Sequence, residues 1–150
     1  MRDRLFRMGL RVAYRARLAS WFVTRPRLRG AAVAVWHGER LLVIRNSYRR
    51  LLSIPAGGLR RREEPLAAAL RELREEVGID APAAALRYAG EIVTRVAHAE
   101  DHVHVYELRV DAPPALRVDR REVVWAGFVA PEEAIEQGLA EYVRLYLERC

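Results

Sequence analysis

The stretch Gly57 to Ile79, GGLRRREEPLAAALRELREEVGI, decides how the chain is read. Pro65 suits the first turn of a helix, where its missing N–H costs little, and Gly78 suits the left-handed position that ends one. Between them Leu66, Leu70, Leu73 and Val77 recur at helical spacing and predict an apolar stripe. On another face Glu72, Glu75 and Glu76 stand at i, i+3 and i+4, side by side. Like charges so placed repel by roughly a few tenths of a kcal/mol per pair. They also crowd the helix C-terminus, where the dipole disfavours negative charge. Folding alone would not select this arrangement. A hard divalent cation reverses the sign of the problem, because Mg²⁺ binds through a few carboxylates plus water and substrate phosphate.

Outward from that helix the chain reads as mixed α/β. Ala31 to Trp36 and Leu41 to Arg45 predict a hairpin about the turn His37–Arg40, and Ser53 to Gly58 a short strand ending in glycines. Downstream, strands are expected over 86–97 and 102–110 about a polar turn at 98–101, and over 122–128. Helices over 131–137 and 139–148 close the chain. Strands with helices to either side suit an α/β/α sandwich.

The net charge of +6 is unevenly divided. Residues 1–30 hold nine Arg and one Asp, which is +8, and the remaining 17 Arg against 19 acidic residues give −2. The division places a basic arm at 1–28 and a nearly neutral domain at 29–150. In the arm Phe6, Leu10, Ala13 or Tyr14, Leu18 and Trp21 approximate helical spacing. That stripe is expected to pack on its own domain or on a second subunit, as in a homodimer; a membrane surface and nucleic acid are the other partners such a helix suits. The lone cysteine, Cys150, excludes an internal disulfide and points to a reducing, cytoplasmic setting. No apolar run is long enough for a transmembrane segment.

The central stretch resembles the Nudix box, G-x5-E-x7-R-E-U-x-E-E-x-G-U with U a bulky aliphatic residue. Gly57, Glu63, Arg71, Glu72, Leu73, Glu75, Glu76, Gly78 and Ile79 fill every specified position. The resemblance implies the Nudix α/β/α sandwich with a mixed sheet. It also implies hydrolysis of a diphosphate linkage in a nucleoside diphosphate joined to another group, with Mg²⁺ or Mn²⁺ as cofactor. By the same resemblance Glu72, Glu75 and Glu76 hold metal, and Gly57 offers its carbonyl oxygen. Glu72 serves as general base, a role that moves between glutamates across the family, and Arg71 orients Glu75. Glu63 is expected to pair with an arginine or with free N–H groups at the helix start.

Outside the box Glu122 is a candidate metal ligand, with Asp119, Glu100 and Asp101 as other acidic candidates. Arg45, at the end of a strand leading to the box, is a candidate for substrate phosphate, which a guanidinium fork suits. His102, His104 and Tyr106 alternate on one strand face without an evident third zinc ligand. Substrate class stays open between nucleoside triphosphates, oxidised nucleotides and nucleotide sugars. The downstream marks of ADP-ribose and dinucleoside polyphosphate hydrolases are missing from Thr94–Ala97. The rival reading is a regulator that keeps the fold to bind nucleotide or nucleic acid without cleaving it.

Overall fold

Two runs of three strands, each preceded and followed by helix, make up the chain. The computed structural model describes residues 2–118 and 121–150. A long helix α1 (Arg2–Thr24) precedes strands β1 (Arg27–His37), β2 (Arg40–Asn46) and β3 (Ala56–Gly58). Helix α2 (Pro65–Val77) and a single 3₁₀ turn (Ala83–Ala85) lead to β4 (Arg87–Val96), β5 (Ala99–Arg109) and β6 (Val123–Val129), followed by α3 (Pro131–Gln137) and α4 (Glu141–Leu147). The strands form one mixed sheet in the order β4-β5-β1-β2-β6, with β3 also paired to β1. Strand β5 runs parallel to β1, and every other pair is antiparallel.

Both faces of β1 and β2 are covered, so these strands read as unbroken apolar runs. Ala31, Val33 and Val35 of β1 and Leu42 and Ile44 of β2 meet Ala68, Ala69, Leu73 and Val77 of α2. The alternate residues Ala32, Ala34, Trp36, Leu41 and Val43 face Tyr142, Val143 and Tyr146 of α4. The result is the expected α/β/α sandwich with a mixed sheet. Its α4 side carries a buried polar chain: the Trp36 indole N–H donates to Tyr146 Oη (2.8 Å), whose hydroxyl donates to Glu107 (2.8 Å). Glu107 is also paired with Arg87 at the sheet edge, so its charge is compensated.

Helix α2 has the predicted bounds. Pro65 opens it and Gly78, at φ 72°, closes it by donating its N–H to Arg74 O. Leu73 is fully buried. Leu73→Ala is expected to destabilise by roughly 2–5 kcal/mol in urea unfolding, the cost of lost transfer plus a cavity. A loss below about 1 kcal/mol would mean that the helix does not press this residue into the sheet.

Several boundaries differ from the sequence expectation, and β3, expected over 53–58, spans only Ala56–Gly58. Strand β1 begins at Arg27, inside the segment read as arm, because Arg27 through Gly30 pair with Glu100 through Val103 of β5. The turn expected at 98–101 is tighter: Val96 pairs with Ala99, Ala97 takes a positive φ of 54°, and Glu100 and Asp101 belong to β5. The last helix starts at Glu141 because Leu139 bridges to Leu52 and the Ala140 N–H donates to Leu52 O (2.8 Å), which holds that segment extended.

Candidate functional site

The acidic face of α2 lies against the short strand β3 and the end of β2. Glu76 is buried, 6% exposed, a rare state for a carboxylate without a cation beside it. One of its oxygens accepts the Ala56 N–H (2.9 Å) and the other accepts Asn46 Nδ2–H (3.3 Å). Burial pushes its carboxyl up to about 8, with the charges of Glu72 and Glu122 adding to the effect and the two hydrogen bonds opposing it. Burial likewise raises Glu72, against the pull of Arg71. The Glu72 carboxylate occupies the space where Gly57 lacks a Cβ, and a side chain there would overlap it outright.

Arg71 ties the rest together. Its guanidinium meets Glu63 as a fork, Nε to Oε1 and Nη2 to Oε2, both at 2.8 Å. It also pairs closely with Glu72, reaches Glu75 at 3.4 Å, and donates to Gly58 O at 3.1 Å. Glu75 is half-exposed and shared with Arg60 (3.3 Å). Among the described residues no three acidic, His or Cys side chains are already gathered round one point. Arg71 holds Glu72, Arg71 and Arg60 share Glu75, and Glu76 stays buried. The donor set nonetheless fits a hard cation: carboxylate oxygens in excess of local positive charge, one of them buried, around a glycine that leaves room. Gly57 itself pairs with Ala31 in the β1–β3 ladder, and its carbonyl oxygen lies close to Gly30.

Glu63 makes the arginine contact expected of it; the N–H it accepts is that of Arg60 (2.7 Å), in the loop before α2 and not in the first turn of the helix. Hydrogen bonds from Arg71 and then Arg60 hold its carboxyl at about 2, below the ordinary 4.5. A depressed carboxyl stabilises the fold above its unfolded value, and that contribution is lost as pH falls through the folded value. Acid unfolding of the wild type should therefore steepen between about pH 4.5 and 2 relative to Glu63→Gln. Parallel acid limbs would remove Glu63 from that balance.

Glu122 stands at the start of β6, where its carbonyl accepts the Ser47 N–H (2.7 Å) and its charge acts on both Glu72 and Glu76. A register shift between Arg45 and Asn46 opposite β6 turns Val123 back into the α2-side core beside it. Arg45 is not brought to this cluster. It shares the sheet face of Leu41 and Val43 and donates to Gln137 Oε1 of α3 at 3.4 Å. Glu100 pairs with His102 (2.9 Å) and Arg27 (3.4 Å) at the far hairpin. Asp101 lines a different cleft, and Asp119 lies outside the described residues. His102 also binds Glu91 (2.8 Å), and His104 bonds the Tyr88 hydroxyl (3.1 Å), so both histidines are used in the sheet.

Sequence reasoning passed over Asn46, which directly follows the strand expected over 41–45. Asn46 is the chain's only asparagine, and its position at a strand end before the box was the available signal. It also gave α1 no part in shaping a cleft. Helix α1 crosses this end of the sheet: Arg11 donates to Ser47 O (2.9 Å), and Tyr14 packs on Tyr48 with ring centroids 5.4 Å apart. Between the helix and the domain lies a cleft of about 710 Å³, lined in part by Arg11, Tyr14, Arg49, Arg95 and Tyr142.

The family model of the NUDIX domain matches residues 26–148. The chain belongs to the NUDIX family. By family it is a Nudix hydrolase, and its box is the one assembled above. Among solved structures, the MutT NUDIX hydrolase from Burkholderia pseudomallei is similar at 22% identity and a TM-score of 0.71, over 83% of this chain and 97% of that one. An Ap4A hydrolase from C. elegans, solved as a binary complex, is 17% identical with a TM-score of 0.64 over 81% and 93%. A bifunctional NMN adenylyltransferase/ADP ribose pyrophosphatase from Francisella tularensis, complexed with AMP and a Mn ion, is 17% identical with a TM-score of 0.71. That match spans 94% of this chain and 48% of the longer one. At these identities the likeness is one of Nudix fold. No curated protein matches the sequence.

Proposed function

We propose that the chain is a pyrophosphohydrolase that cleaves the diphosphate linkage of a nucleoside diphosphate joined to another group, using Mg²⁺ or Mn²⁺. The observation that carries the reading is the buried Glu76 carboxylate beside a Glu72 carboxylate seated on Gly57. Glu72, Glu75 and Glu76 would hold the cation, with Gly57 O and Glu122 completing the oxygen set. Bound there, a divalent ion neutralises phosphate charge and lowers the pKa of its water. The chain's own groups do the rest. Asn46 and the Ala56 N–H hold the Glu76 carboxylate in one orientation. Arg71, locked by Glu63, restrains Glu72 and Glu75 from behind. Glu72 is the group assigned to take the proton from the attacking water at a carboxylate oxygen. Arg45, on the other sheet face, would meet only the distal part of a substrate that crosses the end of β2.

The substrate group is taken to be nucleoside triphosphates, oxidised nucleotides or nucleotide sugars. A Mg²⁺-dependent panel would span these together with ADP-ribose and dinucleoside polyphosphates, with products identified by chromatography. One substrate turned over at kcat/KM of about 10⁴ M⁻¹s⁻¹ or more, with diphosphate cleavage shown by its products, is the expected result. Nucleotide binding without turnover of any member would favour a binding protein and overturn the hydrolase reading.

A further inference from the structure

Helix α1 has two apolar faces, and the domain uses only one. Leu10, Tyr14, Leu18 and Trp21 turn inward, and Trp21 is buried at 7% exposure. At about 100° per residue, Leu5, Met8, Val12, Ala16, Ala19 and Val23 fall together in an outward sector about 80° wide. Leu5, Met8, Val12 and Val23 are 58%, 58%, 63% and 82% exposed. No charged residue lies inside this sector. Arg15 stands at its border, Arg11 is turned to Ser47, and Arg17 stacks over Trp21. Because the inner face is anchored, the outer stripe is held away from the protein along about 27 Å of helix.

We infer that α1 lies in the plane of an anionic lipid surface, with the stripe from Leu5 to Val23 among the acyl chains and the arginines at the headgroups. The charge division selects this occupant. Residues 1–30 carry nine Arg against one Asp, while the rest of the chain is nearly neutral. Two copies meeting through this stripe would bring two such arms together, and like charge opposes that pairing. Nucleic acid would satisfy the arginines and leave the stripe in water. An anionic bilayer satisfies both at once, through apolar insertion and headgroup attraction. Among the described residues no helix is long and apolar enough to cross a membrane, so the helix would lie on the surface. The inference stands apart from the hydrolase reading, since neither uses the other's residues.

The test is co-sedimentation of the full chain with vesicles of phosphatidylcholine alone and with about one third phosphatidylglycerol. Wild type should partition onto the anionic vesicles at least about tenfold more strongly than onto the neutral ones, and 0.5 M NaCl should weaken it. The double variant Met8→Asp/Val12→Asp should lose that binding at least about tenfold, whereas Val12→Leu should keep it. Both should melt with wild type, because the altered side chains face outward; if the double variant unfolds, Val23→Asp at the other end of the stripe takes its place. Three outcomes would overturn the inference. One is binding unchanged by Met8→Asp/Val12→Asp. Another is a dimer in light scattering that this variant dissolves while vesicles go unbound. The third is retention of an oligonucleotide but not of anionic vesicles.

Discussion

Glu76→Gln is expected to lower metal-dependent turnover by at least about a hundredfold while leaving the fold intact. The side chain is buried, it accepts two hydrogen bonds, and its carboxyl is pushed up to about 8 by that burial. A group in that state costs stability as an anion and repays it only when a cation arrives. Glutamine removes the charge and keeps the volume, and Asn46 can turn its amide to suit the new donor. The variant should therefore melt at or above wild type in EDTA and gain less than wild type when Mg²⁺ is added. Kinetics and a pair of melting curves read all of this. Turnover above about a tenth of wild type, or an equal metal-induced rise in Tm, would remove Glu76 from the metal site.

Gly57→Ala should lower turnover by roughly ten- to a hundredfold through Glu72 alone. The added methyl would overlap the Glu72 carboxylate, so the carboxylate must swing away from β3 or the strand must shift. The carboxylate gives first, because Glu72 has rotatable bonds and β3 is held to β1 at three registered positions. Its close pairing with Arg71 is lost in the process. The glycine is thus required by a close approach and not by a special backbone angle. Double-mutant kinetics check the route: Gly57→Ala placed on Glu72→Gln should add little, since both disable one carboxylate. Full multiplication of the two losses would show that Gly57 acts elsewhere.

Helix α2 was legible in the sequence from end to end, since Pro65, Gly78 and the leucine stripe each carry their own signal. The proposed metal site rests on the same helix, where three carboxylates on one face ask for a cation. Arg45 was harder, because Leu41 through Ile44 are all apolar and all buried, so alternation could not say which parity faces α2. The helix contact alone shows that Leu42, Ile44 and Asn46 share the site's side, which brings Asn46 to Glu76 and turns Arg45 toward Gln137. Helix α1 was legible on its inner side, since Leu10, Tyr14, Leu18 and Trp21 turn to the domain as their spacing predicts, although Phe6, read in the same stripe, stays exposed. The second apolar stripe, about half a turn away, went unread. The hairpin at Ala97 read as a longer polar turn, because an alanine at positive φ carries no sequence signal.

The parallel pairing of β1 with β5 also governs the order in which the chain can assemble. Ten registered pairs, from Arg27 with Glu100 to Trp36 with Arg109, join segments far apart in sequence. Gly57 and all of α2 lie in the loop that this pairing closes. During synthesis the box helix emerges while β1 still lacks that neighbour, and its acidic face has only the β1–β2 hairpin and β3 to lean on. Closure of so long a loop is slow, and β1 is an open strand edge on that side until it happens. The late arrival of β5 is therefore the step at which the nascent chain is most exposed to misassembly.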